Sequence, residues 1–297
     1  MDEQALATTA RTAQRAATVA AGVGMALFAC KLGAWMLTQS VVVLSDALEG
    51  LVNVVAGIFA WYCVRLSHKP ADSNHPYGHG KVEFVSAAFE GGLVVLAAAV
   101  IAFEASKRLI GNEMPRQIGV GSSLVAIAAG ANLATGWWLI HLGTRLHSSA
   151  LVADGKHLLT DVVTSVAALV ALGLVQATQL AWIDPAIAMV AALNILRVGW
   201  LLLREAIAGI MDEADQSDLR RIDGVLARLD DPRMLAWGRV RSRHQGALHH
   251  VDLTLYVHDT MSVATAHDLT EVVEERVTIA LGNAQVLCHV EPVSLRR

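Results

Sequence analysis

Charge is scarce in this chain. Of its 297 residues, 17% are charged and 54% hydrophobic, and mean hydropathy is +0.47. An average soluble domain is about 25% charged. The shortage excludes a disordered chain and points toward a membrane. Cysteine is rarer still. Cys30, Cys63 and Cys288 include no close pair, which excludes a disulfide framework and argues against a Cys-based zinc ribbon. Net charge is -4 with pI near 6.3, so no basic surface advertises nucleic acid. Nucleophile elbow, P-loop and HExxH motifs are also missing, which argues against an enzyme.

What charge there is lies unevenly. The first 212 residues carry 13 Lys/Arg and 14 Asp/Glu, and the remaining 85 carry 10 and 13. The density doubles near Asp212. We therefore expect two domains: 1-212 in the membrane, and 213-297 as a small soluble domain. Residues 1-15 are polar, begin acidic and precede a full-length apolar span, unlike a signal peptide.

A spanning helix needs about 20 mostly apolar residues. Six segments qualify: Ala16 to Leu37, Val41 to Val64, Val85 to Phe103, Ile118 to Leu142, Ser148 to Val175 and Leu180 to Leu203. Gly22, Gly24, Gly50, Gly57, Gly91, Gly92 and Gly130 fall within them, as expected where helix backbones pack closely in lipid. Trp35, Trp61, Trp137, Trp138, Trp182 and Trp200 fall near span ends, where indole rings anchor at the interface. An even number of spans puts both termini on one side. If that side is the cytoplasm, inner loops hold Arg11, Arg15, Arg65, Lys69, Lys81, Arg145 and Lys156. Outer loops hold only Lys107, Arg108 and Arg116. The bias favours both termini inside.

Ionisable groups inside spans are costly and are functional candidates by default. Lys31 lies about 9 Å along the helix from Leu37 and is expected to snorkel to the outer interface. Asp154 and Lys156 fall near the inner end of span five, where solvation or helix pairing accounts for them. Asp184 precedes Pro185 and is expected to cap a helix start. Glu90 sits mid-span beside Gly91-Gly92, open to a helix-helix hydrogen bond or a proton path.

Two spans carry polar pairs four residues apart, hence on one helix face. Span two has Glu49 and Asn53; span five has His157 and Asp161. Opposed at mid-membrane, the pairs supply one imidazole, two carboxylates and one amide oxygen, the number of ligands a tetrahedral divalent metal takes. The alternative is two unrelated polar pairs. Between spans two and three, Lys69 to Lys81 holds two Pro and two Gly and reads as a loop. Its Asp72, His75 and His79 are spaced for a second, more exposed metal site; incidental loop histidines are the alternative.

After residue 213 the pattern reads helix (Ser217 to Leu229), strand (Leu235 to Arg243), strand (His249 to Val257), helix (Ser262 to Leu281, capped by Ser262) and strand (Ala284 to Val290). This αββαβ order is an α+β sandwich. Six of the 12 His lie here.

The segments Ser45-Asp46-Ala-Leu-Glu49-Gly-Leu-Val-Asn53, His75-Pro-Tyr-Gly-His79-Gly-Lys81-Val-Glu83 and Ala153-Asp154-Gly-Lys-His157-Leu-Leu-Thr-Asp161, in this order, resemble the cation diffusion facilitator family. The resemblance covers nearly the whole chain. It implies a polytopic α-helical membrane protein, with six transmembrane helices and a cytoplasmic copper-chaperone-like domain that pairs two subunits. It implies a homodimeric antiporter in the lipid bilayer of the cell inner (plasma) membrane, exporting a divalent cation such as zinc, iron or manganese in exchange for protons. No nucleic acid and no cofactor beyond the transported cation are implied, apart from a bound zinc in the tail of some members. The transport ligands map onto Glu49, Asn53, His157 and Asp161. Members usually carry His or Asp at the position of Glu49 and Asp at that of Asn53, so this set is harder and less negative than the usual one. Harder ligands favour Mn²⁺ or Fe²⁺ relative to Zn²⁺. Tail ligands map onto His267, His289 and Glu291. Thr254 stands where a ligand His is expected, leaving His249 or His250 as substitutes. A pairing of Lys81 with Asp212 is also implied. Protons displace the metal because ligation needs deprotonated groups, and His157 is the expected carrier. A Na⁺/proton antiporter and a non-transporting metal sensor or assembly partner are the alternatives.

Overall fold

The computed structural model describes residues 3–111, 113–145, 149–245 and 248–296. The side chains of Arg11 and Arg15, and residue Ser148, lie outside the described residues. The elements run α1 (Glu3–Thr38), α2 (Val41–Ser67), α3 (Val82–Gly111), α4 (Ile118–Arg145), α5 (Ser149–Thr178), α6 (Ile183–Ile210), α7 (Gln216–Leu226), β1 (Ala236–Gln245), β2 (Leu248–Val257), α8 (Val263–Leu281) and β3 (Ala284–Pro292). Among the described residues, six helices are long and apolar enough to cross a membrane. They overlap the six expected segments; α2, α4 and α5 extend about a turn beyond them and α1, α3 and α6 two turns or more, because polar residues continue the helix beyond the apolar stretch.

The chain divides into two compact units, Met1–Ile58 with Glu90–Leu201, and Phe59–Phe89 with Leu202–Arg297. In the first, Ala34, Val41, Val43, Ala98, Ile101, Val125, Ala168 and Leu172 form a buried cluster rich in small side chains. Lipid supplies no hydrophobic force between helices, so close backbone approach takes its place. Of the glycines singled out above, Gly50 packs against Phe28 of α1, whose Cα lies 3.9 Å from where a Cβ would stand, and Gly91 is buried, but the others are open. A Cβ on Gly22, Gly24, Gly57, Gly92 or Gly130 would meet nothing within 4 Å. One on Gly136 would come within 2.8 Å of the Gly155 carbonyl oxygen, and one on Gly155 within 2.7 Å of that of Gly136. Glycine at both positions lets α4 and α5 touch backbone to backbone.

The second unit contains a sheet of order β1-β2-β3. β1 pairs antiparallel with β2, and β2 parallel with β3. A parallel pair needs a crossover, and α8 provides it. Asp215 caps α7 by accepting from Ser217 N, and Ser262 caps α8 by accepting from Thr265 N. Val251, Leu253 and Leu255 of β2 pack with Ile222 and Leu226 of α7 and with Leu269, Val273 and Val277 of α8. Each fully buried apolar side chain contributes about 1.5–3 kcal/mol, so this small sandwich has a core of its own. The αββαβ order read from the sequence is the order observed. The β1–β2 hairpin is longer than expected, because His244, Gln245 and Leu248 also pair.

Candidate functional site

The polar groups of α2 and α5 meet in the first unit. Asn53 Nδ2 donates to Asp161 Oδ2 at 3.5 Å, and His157 Nε2 lies 3.9 Å from Asp161 Oδ1. Asp161 is 15% exposed and His157 52%. Two turns from Asn53 along α2, Asp46 accepts from Ser165 Oγ at 3.0 and 2.9 Å and from Thr164 Oγ1 at 3.4 Å. The two helices therefore run antiparallel, with Glu49 on the stretch of α2 between these two levels. Three of the four expected ligands are brought together. Glu49 is half-buried one turn from Asn53.

Lys31 is not a snorkelling side chain. Its Nζ donates to Asp46 Oδ1 at 2.7 Å, with the two side chains 3% and 2% exposed. An ammonium within reach of a buried carboxylate gains more from pairing than from reaching the interface, since an unpaired buried charge is far costlier. Sequence reasoning missed this pair, whose members are fifteen residues apart on different helices. Asp184 also differs from expectation. It caps a helix, but the helix is α2: its carboxylate accepts from Ser40 Oγ, from Val41 N at 2.7 Å and from Val42 N at 3.5 Å. The first amides of a helix lack intrahelical acceptors, and here a distant carboxylate supplies them.

A different construction appears in the loop between α2 and α3. Asp72 Oδ1 accepts from Asn74 N at 3.0 Å and His75 N at 2.7 Å, and His75 Nδ1 lies 3.1 Å away. His79 Nε2 is 3.5 Å from Asp72 Oδ2, while its buried Nδ1 has no hydrogen-bond partner. The three predicted loop residues thus present ligand atoms within 4.8 Å of one another. The backbone hydrogen bond from His75 holds the Asp72 carboxyl below its ordinary value.

The same unit ties this loop to the β1–β2 hairpin. Gln245 Nε2 donates to the Tyr77 carbonyl at 2.6 Å, and the Arg243 guanidinium lies over the Tyr77 ring, 5.2 Å from its centre. Lys81 Nζ pairs with Asp212 Oδ1 at 2.9 Å, the pairing expected from the sequence, and Arg243 approaches the other oxygen at 3.5 Å. Partial burial pushes the Asp212 carboxyl up. The hydrogen bonds and charges of Lys81 and Arg243 outweigh it and hold the group below the usual carboxylate value.

In the tail, His289 Nε2 lies 3.3 Å from Glu291 Oε1. His267 pairs instead with Glu271 on its own helix at 3.5 Å, and both are exposed. Among the described residues, the second group of three with metal-ligating geometry is Asp218, His244 and His249. The sequence offers His249 only as a substitute tail ligand, and no local pattern announces Asp218 and His244 as its partners.

Residues 17–211 match the family model of the cation efflux transmembrane domain, and residues 214–293 match that of the cation efflux protein cytoplasmic domain. An uncharacterised transporter of Synechocystis sp. is 36% identical over 286 residues, covering 96% of this chain and 92% of that protein. The cation-efflux pump FieF of Yersinia pestis is 31% identical over 297 residues, covering 96% and 95%. A solved metal-bound C-terminal domain of the CzcD transporter from Thermotoga maritima covers 28% of this chain and 99% of its own, with 28% identity and a TM-score of 0.25. The chain belongs to the cation diffusion facilitator family and is a multi-pass membrane protein of a cation efflux transporter family.

Proposed function

We propose that this protein exports a divalent metal cation of the zinc, iron and manganese class from the cytoplasm in exchange for protons, with Glu49, Asn53, His157 and Asp161 as the transport ligands. The observation that carries the reading is the meeting of Asn53, His157 and Asp161 between α2 and α5, in a chain whose relatives include a cation-efflux pump. An imidazole and a carboxylate one turn apart on α5, facing an amide of α2, are ionisable groups inside a span, which are costly there and mark function by default. Metal taken up from the inside is released outside when protons compete for the same ligand atoms. Residues 1-212 form the transport domain. Residues 213-297 form a cytoplasmic domain that pairs two copies of the chain. The protein lies in the inner (plasma) membrane with both termini inside. Asp72, His75 and His79 form an accessory site at the inner surface, and His267, His289 and Glu291 are the candidate tail ligands.

The test is ion-resolved uptake into proteoliposomes with an imposed pH gradient, comparing Zn²⁺, Mn²⁺, Fe²⁺, Co²⁺ and Na⁺. Divalent uptake that collapses with the pH gradient supports the reading. Flux of Na⁺ alone, or divalent flux indifferent to the gradient, contradicts it.

A further inference from the structure

We infer that Asp218, His244 and His249 form a divalent-metal site in the C-terminal domain, separate from the Asp72 loop and from the His289–Glu291 pair. His244 and His249 are cross-strand partners on β1 and β2, so their side chains leave one face of the hairpin. Their ring centres are 4.3 Å apart. Asp218 comes from the first turn of α7 and is 2% exposed. Its Oδ2 lies 2.7 Å from His249 Nδ1 and 2.9 Å from His244 Nε2. In a tetrahedral shell with bonds near 2.0–2.1 Å, ligand atoms stand roughly 3.3 Å apart. The two Asp218–histidine separations need to open by only about half an ångström to admit an ion.

A purely structural role for these histidines would have both rings donate to the carboxylate. Only His249 is so placed. His244 Nε2 is buried and, although 2.9 Å from the carboxylate oxygen, does not meet it in hydrogen-bonding geometry. A buried polar atom without a well-aligned partner is costly. A metal would take its lone pair. Asp215 offers a fourth group: one of its oxygens accepts the capping bond from Ser217 N at 2.6 Å, and the other lies 3.9 Å from His244 Nε2. Two carboxylates balance the charge of a dication, and two imidazoles with two oxygens suit Zn²⁺ and its first-row neighbours. Ser242 Oγ, 3.4 Å from Asp218 Oδ2, orients the carboxylate as outer partners of metal ligands commonly do. An ion here would pin α7 to the hairpin. Gln245, next in sequence to His244, is the residue that holds the Tyr77 carbonyl.

The experiment uses the full chain in detergent with Zn²⁺ alone as probe. Bound zinc per chain is counted for the wild type and for His244→Gln/His249→Gln, which keeps polar side chains beside Asp218. One zinc fewer per chain is expected, and an unchanged count overturns the assignment. Acylation of histidines by diethylpyrocarbonate, read by mass spectrometry on the wild type, requires no variant to fold. Zinc is expected to protect His244 and His249 and to leave His258 unprotected. Equal labelling of His244 and His249 with and without zinc, or protection confined to His75 and His79, overturns it. Both readouts are independent of transport, so they stand apart from the outcome of the flux assay.

Discussion

Asp72, in the loop between α2 and α3, is 51% exposed and is held by backbone amides of its own turn. Asp46, inside α2, is almost fully buried and is held by Lys31 and Ser165 from two other helices. The two carboxylates differ because of what a helix interior withholds. Its amides are already spent on the i−4 carbonyls, so a carboxylate in a span must find its donors on another helix, while a loop carboxylate finds them next door. Satisfaction in the loop is local and solvated. In the span it is long-range and desolvated, and removing a partner leaves a buried charge. The same contrast separates Asp161 from the loop triad as candidate metal ligands.

His157→Ala and Asp161→Ala should each lower metal-driven proton flux by about two powers of ten or more, the scale of a lost buried ionic partner. Wild-type flux from either variant, folded and dimeric, would remove α2–α5 as the transport site. Lys31→Met should destabilise the protein by about 3–5 kcal/mol by stranding Asp46, read from unfolding in detergent. Lys31→Met/Asp46→Leu should recover most of that loss, and a double variant no more stable than the single one would mean that Asp46 is not what Lys31 satisfies.

Asn53→Asp adds a carboxylate beside Asp161. We expect tighter Zn²⁺ binding by about one to two powers of ten, near 1.4 kcal/mol each, with a steeper pH dependence because one more group must lose a proton. Equal affinities and slopes, by competition at two pH values, would mean that Asn53 does not face the ion. In the loop, His75→Ala/His79→Ala should weaken apparent affinity by less than about tenfold, as solvated ligand groups contribute modestly, and should leave transport in place. Complete loss would invert the comparison.

The smallest effect concerns pH. Asp212 is held below the usual carboxylate value, so its pairing with Lys81 contributes fully above the ordinary carboxylate range. That contribution is lost as pH falls through the lowered folded value. Amide exchange of residues 69–81 should then show no opening between pH 7 and pH 5. Loosening inside that window would assign the contact to histidine.

How much of this was legible in the sequence follows the same division. The spans, the αββαβ order and the Asp72 triad were readable because each is set by neighbours within a few residues. The Glu49/Asn53 and His157/Asp161 pairs were readable because helical period places residues four apart on one face. Lys31 with Asp46, and Asp184 with the first amides of α2, were misread because their partners lie on other helices and no local period announces them. Asp218 with His244 and His249 escaped for a related reason. The strands were expected to stop at Arg243 and resume at His249, so His244 was left in the turn rather than opposite His249.

The most direct test of the transport site is coupled flux. Proteoliposomes holding wild-type protein or Asp161→Asn, isosteric but uncharged, are given a Zn²⁺ pulse, and zinc uptake and internal pH are followed together. Zinc entry with opposed proton movement in the wild type, and loss of both in Asp161→Asn while the folded dimer persists, is the predicted result. Undiminished zinc and proton movement in Asp161→Asn would contradict the account.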